Sequence, residues 1–349
     1  MMKVVYLAID GHARHSTLGC MSKRGQFERS WTFGTSEKEL VRHVKGVGQA
    51  KKILVIEEGP LAFWMAQTLR PHVAELIIAD PRENRLISRH ANKSDKVDVQ
   101  GLCRLLRLGE LKAVYHPEDD ERAIYKGVVQ QYIDFRDQES ALKTKIKAKF
   151  RSWGVMEVVG TRVVYSEEGR KEFLGLVKAK SVRNQLSRLY VLMDTAVRMQ
   201  KLSLEEAKRL GQKYPEIQEF KKIPGVGDIN AMIFDAYIQT PHRFSRKSRL
   251  YRYCRLGVTD RSSDNKPLGF KRLDKRGNGE LKSMSYRSYV AAMRVRRANE
   301  VRGYYERSLN TTHSTRAARL NTQRKIISVM HGIWIKGEEY RSELFLGPE

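Results

Sequence analysis

Apolar residues along this 349-residue chain fall into short β-prone runs over the first hundred positions and into helix-spaced stripes thereafter. Val4 to Ile9, Thr17 to Ser22 and Phe27 to Phe33 are three such runs, and Lys23-Arg24-Gly25 supplies a turn between the second and third, which predicts a β-meander. Residues 36–49 then read as a polar helix and Ile53 to Ile56 as a buried strand. A helix follows with Pro60 in its first turn, running through Leu69, and Glu75 to Ala79 reads as a strand stopped by Pro81. Three consecutive strands followed by alternating helix and strand imply an α/β domain over residues 1–112, bounded near Gly109 to Pro117.

Beyond Pro117 the period changes. Ile124, Val128, Val129, Tyr132, Ile133 and Phe135 lie in a charged stretch with Gly127 its one glycine, which predicts a long surface helix to about Lys149. Residues 152–170, with Gly154, Gly160 and Gly169, read as a loop or small hairpin. A second helical stretch spans 171–213 and carries Val182, Leu186, Leu189, Met193 and Ala196 at heptad-like spacing. Ser203-Leu204-Glu205-Glu206 has capping-box spacing and is expected to start the last helix there. Paired, the two stretches make a coiled-coil-like arm over 113–215, with a seam more often intramolecular than intermolecular but able to dimerise. Residues 216–349 read as a mainly α domain. In it, Ile223-Pro224-Gly225-Val226-Gly227 between two helices forms a helix-hairpin-helix, residues 256–269 read as a loop, and 315–335 as a closing helix.

Charge narrows the function. Lys and Arg number 66 against 40 Asp and Glu, a net +26. An excess of that size, spread through every segment, points to a polyanion partner, nucleic acid ahead of membrane. Lys143, Lys145, Lys147 and Lys149 alternate with apolar or small residues as a phosphate-contacting stripe would. Lys221 and Lys222 flank the hairpin whose Gly225 and Gly227 would expose backbone N–H groups to a phosphate. Arg261, Lys266, Lys275 and Arg276 extend the basic surface. A solvated face and a plain helix connection are the bland alternatives. Cys20, Cys103 and Cys254 are widely spaced, as in reduced thiols of a cytosolic protein. With no signal peptide and no apolar run of about 18 residues, the expected location is cytoplasmic, away from membranes.

The candidate chemistry is acidic. Asp10 and Glu57 each end an apolar strand run, and Asp95 and Asp98 are three residues apart at the start of an expected helix, so both project from one helical face. Such oxygen donors suit a divalent cation at a phosphoryl-transfer site. Taken singly, Asp10 is also a turn residue before Gly11, and Asp95 a helix-start acid favoured by the dipole. His12 and His15 follow Asp10 closely and so could touch the metal site, although a loop histidine is more often just exposed. Ser262 and Ser263, between Arg261 and Lys266, could supply a phosphate-attacking hydroxyl, or could be ordinary turn residues.

These residues together resemble the DEDD transposases of bacterial insertion sequences, the bridge-RNA-guided recombinases with a RuvC-like N-terminal domain and a C-terminal transposase domain carrying a serine. The four family acids fall on Asp10, Glu57, Asp95 and Asp98. The family's Pro-Gly-hydrophobic-Gly hairpin is similar to Pro224-Gly225-Val226-Gly227, and its motifs flanking the serine resemble Gly257-Val258-Thr259 and Lys275-Arg276-Gly277. The common Ser-Gly pair is absent and the spacing between the flanking motifs is shorter, so the serine maps to Ser263 with Ser262 as the alternative; Glu58 stands likewise beside Glu57. The resemblance implies an RNase H-like (RuvC-like) α/β domain binding Mg²⁺ or Mn²⁺ and a serine that becomes covalently linked to DNA. It also implies a structured non-coding bridge RNA that pairs with donor and target DNA, association with the nucleoid when acting, and a homo-oligomer, a dimer of dimers, whose sites combine protomers.

Two other classes stay open. A RuvC-like site alone would activate water and make a Holliday-junction or structure-selective endonuclease, and an RNA-binding structural protein could carry a decayed site, against which the four retained acids argue.

Overall fold

The computed structural model describes residues 3–81, 94–117, 120–263 and 266–346, with backbone alone over 259–271. Contacts divide the chain into two compact units, Met1–Glu118 and Asp119–Glu349.

The first unit is a mixed sheet with helices on both faces. Its elements are β1 (Val4–Gly11), β2 (His15–Ser22), β3 (Phe27–Gly34), α1 (Glu37–Gly46), β4 (Lys51–Glu57), α2 (Ala62–Leu69), β5 (Glu75–Ala79) and α3 (Asp95–Leu108). The strand order is β3-β2-β1-β4-β5, antiparallel through the meander and parallel from β1 to β4 to β5. Period-two alternation sends Val5, Leu7, Ile9, Leu54 and Ile56 to one face, where they pack with Leu40, Val44, Met65 and Leu69 of α1 and α2. The other face places Ala8 and Val55 against Val99, Leu102, Cys103 and Leu106 of α3. Gly19 permits that approach, since a Cβ there would meet Val99 Cγ2 at 2.9 Å. Ser94 caps α3, accepting from Val97 N at 3.4 Å, and Gly109 ends it in the left-handed region.

The second unit is mostly helical: α4 (Asp120–Arg151), α5 (Glu167–Gly175), α6 (Lys180–Gly211), α7 (Glu216–Lys221), α8 (Asp228–Ile238), α9 (Lys247–Tyr253), β6 (Val258–Ser263), β7 (Lys266–Leu273), α10 (Gly279–Arg294), α11 (Glu300–Thr312) and α12 (Thr315–Lys336). Helices α4 and α6 run antiparallel, with Ser203 Oγ 3.1 Å from Gln131 Oε1 while Gly211 faces Tyr125. At one end of this pair Val182, Leu186 and Met193 bury against Ile146, Phe150 and Phe173, so the heptad-like seam serves an internal core. At the other end Tyr125, Val129, Ile133 and Ala207 join the core formed by Phe220, Phe234, Met284, Ile326 and Met330. The arm therefore grows out of the C-terminal helices and shares their core.

Three local expectations are corrected. Ser203 starts no helix: α6 runs through it, and the hydroxyl is buried against Gln131. Residues 152–170 hold short 3-10 turns leading into α5, because Val158 and Val164 are drawn into the arm core. The stretch from Val258 is a β-hairpin rather than a loop.

A buried ionic cluster ties α4 to the C-terminal core. Arg122 donates to Asp235 at 2.5 Å and to Glu216 at 2.7 Å while its guanidinium stacks 3.6 Å over Tyr214. Asp235 is fully buried, and that burial pushes its carboxyl well above the usual range despite the arginine. Arg122→Met should cost about 3–5 kcal/mol by leaving the carboxylate without its partner. Arg122→Lys should recover little of this because it lacks the planar fork, whereas Arg122→Met with Asp235→Leu should recover most. Urea unfolding of the three variants checks this.

Candidate functional site

Asp10 is a strand residue, paired with Thr17 across the β1–β2 ladder, and not a turn residue. It lies one position past the Ile9–Ile56 pair in the parallel β1–β4 register, so Asp10 and Glu57 end neighbouring strands. The pleat then separates Glu57 from Glu58. Ala8 and Val55 face α3, and so, by alternation, do Asp10 and Glu57. Glu58 belongs to the opposite face, where its carboxylate meets His116 Nε2 at 2.5 Å and that ring stacks near Phe63.

Helix α3 presents Asp95 and Asp98 in its first turn on the Asp10 side of the sheet. Asp10, His12 and Asp95 each offer one ligand atom, and these lie within 4.8 Å of one another. Ligands of one small divalent cation at about 2.0–2.1 Å are separated by roughly 3–4 Å. A slight contraction would place the three on a single ion, and two carboxylates with an imidazole are suitable donors. Burial pushes the Asp10 carboxyl up; the neighbouring His12 opposes this, and the charges of Asp95 and Asp98 add to it. His12, a candidate for contact with the site from its place after Asp10 although a loop histidine is more often exposed, lies with Asp10 and Asp95. The signal was its position two residues beyond Asp10 across a tight strand connection.

The basic residues divide. Lys145 is exposed. Lys147 Nζ donates to Thr161 O at 2.5 Å, and Lys143 pairs with Glu139; both stand over the Tyr165 ring, so these two brace the arm. Lys149 is half-buried. Lys221 pairs with Asp228 at 2.7 Å and Lys222 with Glu219 at 2.7 Å. Gly225 has φ +88° and packs against α10, where a Cβ would lie 2.2 Å from Ser288 O. Its glycine requirement therefore comes from close helix packing, while Gly227 precedes α8 and is open on the outside.

The serines stand on the backbone of the hairpin, Ser262 opposite Pro267 and Ser263 opposite Lys266. Arg261 lies on the same strand, and the side chains of all four charged or hydroxyl candidates here fall outside the described ones. The base of the hairpin is closely built. Asp274 N donates to Gly257 O at 2.8 Å and Arg324 clasps Leu256 O. Gly277, at φ +101°, leaves room for Tyr253 O, which a Cβ would approach to 2.4 Å. Lys275 and Arg276 next to it are exposed. Gly257 and Gly277, read as motif residues flanking a serine, are thus the residues that let two backbones meet beneath it.

Residues 217–306, from α7 into α11, match a family model described as Transposase IS116/IS110/IS902 family. A Coxiella burnetii (strain RSA 493 / Nine Mile phase I) protein, the transposase for insertion sequence element IS1111A, is 23% identical over 260 residues, covering 72% of this chain and 69% of that relative. The two similarities support a transposase family and a DNA transposase or recombinase enzyme. No helix among the described residues is long and apolar enough to cross a membrane.

The crowded carboxylates carry a stability consequence. Asp10 holds its proton more tightly folded than unfolded, so its contribution is present in acid and lost as pH rises through its raised pKa. Asp10→Asn should therefore raise the melting temperature of the metal-free protein at pH 7 by a few degrees, and by less at pH 4. Calorimetry in chelator at both pH values checks the sign.

Proposed function

We propose that this protein is an insertion-sequence recombinase that cuts and rejoins donor and target DNA under the direction of a structured guide RNA, through a covalent serine–DNA link. What supports the reading is that Asp10 and Asp95 offer ligand atoms within 4.8 Å of one another, with Asp98 in the same helical turn and Glu57 on the same sheet face by alternation, in a chain whose other unit matches a transposase model. In this reading the first unit is RuvC-like, and the four acids hold Mg²⁺ or Mn²⁺. A bound cation of that kind supplies charge neutralisation and Lewis acidity at the scissile phosphate.

The chain's own residues do the rest. The Ser263 hydroxyl, or that of Ser262, attacks phosphorus; an Oγ–P bond forms, the P–O bond to the departing sugar oxygen breaks, and that oxygen takes up a proton. A second sugar hydroxyl reverses the exchange. Phosphodiester number is conserved, so rejoining needs no nucleotide cofactor. Arg261, Lys266, Lys275 and Arg276 offset the charge of the phosphates near the hairpin. Lys145, with Lys143, Lys147 and Lys149, lies along an arm suited to RNA or DNA backbone, and Lys221 and Lys222 would exchange their acidic partners for phosphate when the α7–α8 hairpin, a helix-hairpin-helix in this reading, engages DNA. A dimer of dimers would let the acids of one protomer serve the serine of another.

The second reading, a structure-selective nuclease in which water replaces the serine, is favoured by the fact that the acid cluster lies within a unit complete without the hairpin. A strand-exchange assay with element-end DNA and the adjacent encoded RNA separates the two. Ser263→Ala (or Ser262→Ala) should lower joining at least about a thousandfold, and Asp95→Asn by about a hundredfold or more. Cleavage that survives loss of both serines would establish the nuclease.

A further inference from the structure

The imidazole of His12 stands among the acids without belonging to the tetrad. Its Nε2 is 3.4 Å from Asp10 Oδ2, although the side chain is 66% exposed among the described residues. The turn that carries it is braced instead. His12 N donates to His15 O at 3.1 Å, Thr35 N donates to Arg14 O at 3.0 Å, and Thr35 Oγ1 donates to His12 O at 2.6 Å. The Thr35 hydroxyl also lies 2.7 Å from Ser16 Oγ, which fixes its position on the sheet. The braced turn thus fixes the His12 backbone at a point from which a ring nitrogen lies within 4.8 Å of an Asp10 and an Asp95 oxygen.

Carboxylates alone suit Mg²⁺, whereas an imidazole nitrogen shifts preference towards the transition series. Resting on the reading of these acids as a divalent-cation site, we infer that His12 is an additional ligand of that cation and makes the centre favour Mn²⁺ over Mg²⁺. In that role a His12 ring nitrogen would offer its lone pair to the ion, and the Asp10 carboxylate beside it would be a fellow ligand.

The test uses the full-length protein and Mn²⁺ alone. Pulsed electron paramagnetic resonance of bound Mn²⁺ should show ¹⁴N coupling in the wild type and in His15→Gln, and none in His12→Gln. Competition titrations should show Mn²⁺ affinity about tenfold weaker in His12→Gln, with Mg²⁺ affinity changed by less than about twofold. Mn²⁺ that binds, is lost in Asp10→Asn, and shows no ¹⁴N coupling would overturn the role of His12 and leave the cation site standing. A wild-type protein that takes up no Mn²⁺ would overturn both. The wild-type spectrum depends on no variant folding correctly.

Discussion

Bringing the Asp10 and Asp95 carboxylates within one ion's reach is the constraint from which the rest of the N-terminal unit follows. Like charges at this spacing repel, and burial of Asp10 adds a desolvation cost, as its raised pKa records. Two features offset this. The parallel β1–β4 pair fixes the ends of both strands through a continuous ladder, and α3 meets them with its N-terminus, where the helix dipole favours Asp95 and Asp98. The approach of α3 depends in turn on small and apolar contacts: Gly19 admits Val99, and the buried Cys103 thiol reaches Tyr6 O at 3.6 Å. A charge arrangement that is unfavourable by itself is thus imposed by apolar packing several residues away.

The C-terminal unit solves a different problem, supporting a hairpin that, among the described residues, pairs as a two-stranded sheet of its own. Gly257, Gly277 and the Arg324 clasp on Leu256 O hold its base against α9 and α12. Isolated hairpins are marginal in water, so a rigid base is what a hydroxyl on such a strand needs in order to keep a fixed position. The Arg122–Asp235–Glu216 cluster performs a related task for the arm, fastening α4 where it enters the common core.

Much of this was legible in the chain because periodicity carries it. The meander, β4, β5 and the long arm helices follow directly from apolar spacing, whereas Glu57 and Glu58 stay ambiguous until α3 marks one face of the sheet. What escaped was set by tertiary contacts. Ser203 has capping chemistry, but the partner that decides its role is Gln131, 72 residues away. The polar run after Val258 lacks a strand pattern, and its pairing comes from the closed base. Lys143 and Lys147 stand over Tyr165, and Lys147 donates to Thr161 O, contacts that the spacing of the stripe does not show. Gly225 lies in the turn between α7 and α8, and its need for glycine comes from the backbone of α10.

The most direct measurement is covalent trapping on the proposed reaction. The purified protein is incubated with Mg²⁺, element-end DNA and the RNA encoded beside its gene, quenched under denaturing conditions and digested, and the DNA-bearing peptide is sequenced by mass spectrometry. A phosphodiester link to Ser263, or to Ser262, is the expected result. Cleaved DNA with no protein attached, under conditions in which intermediates are caught, would contradict the serine recombinase and leave a metal-dependent hydrolase.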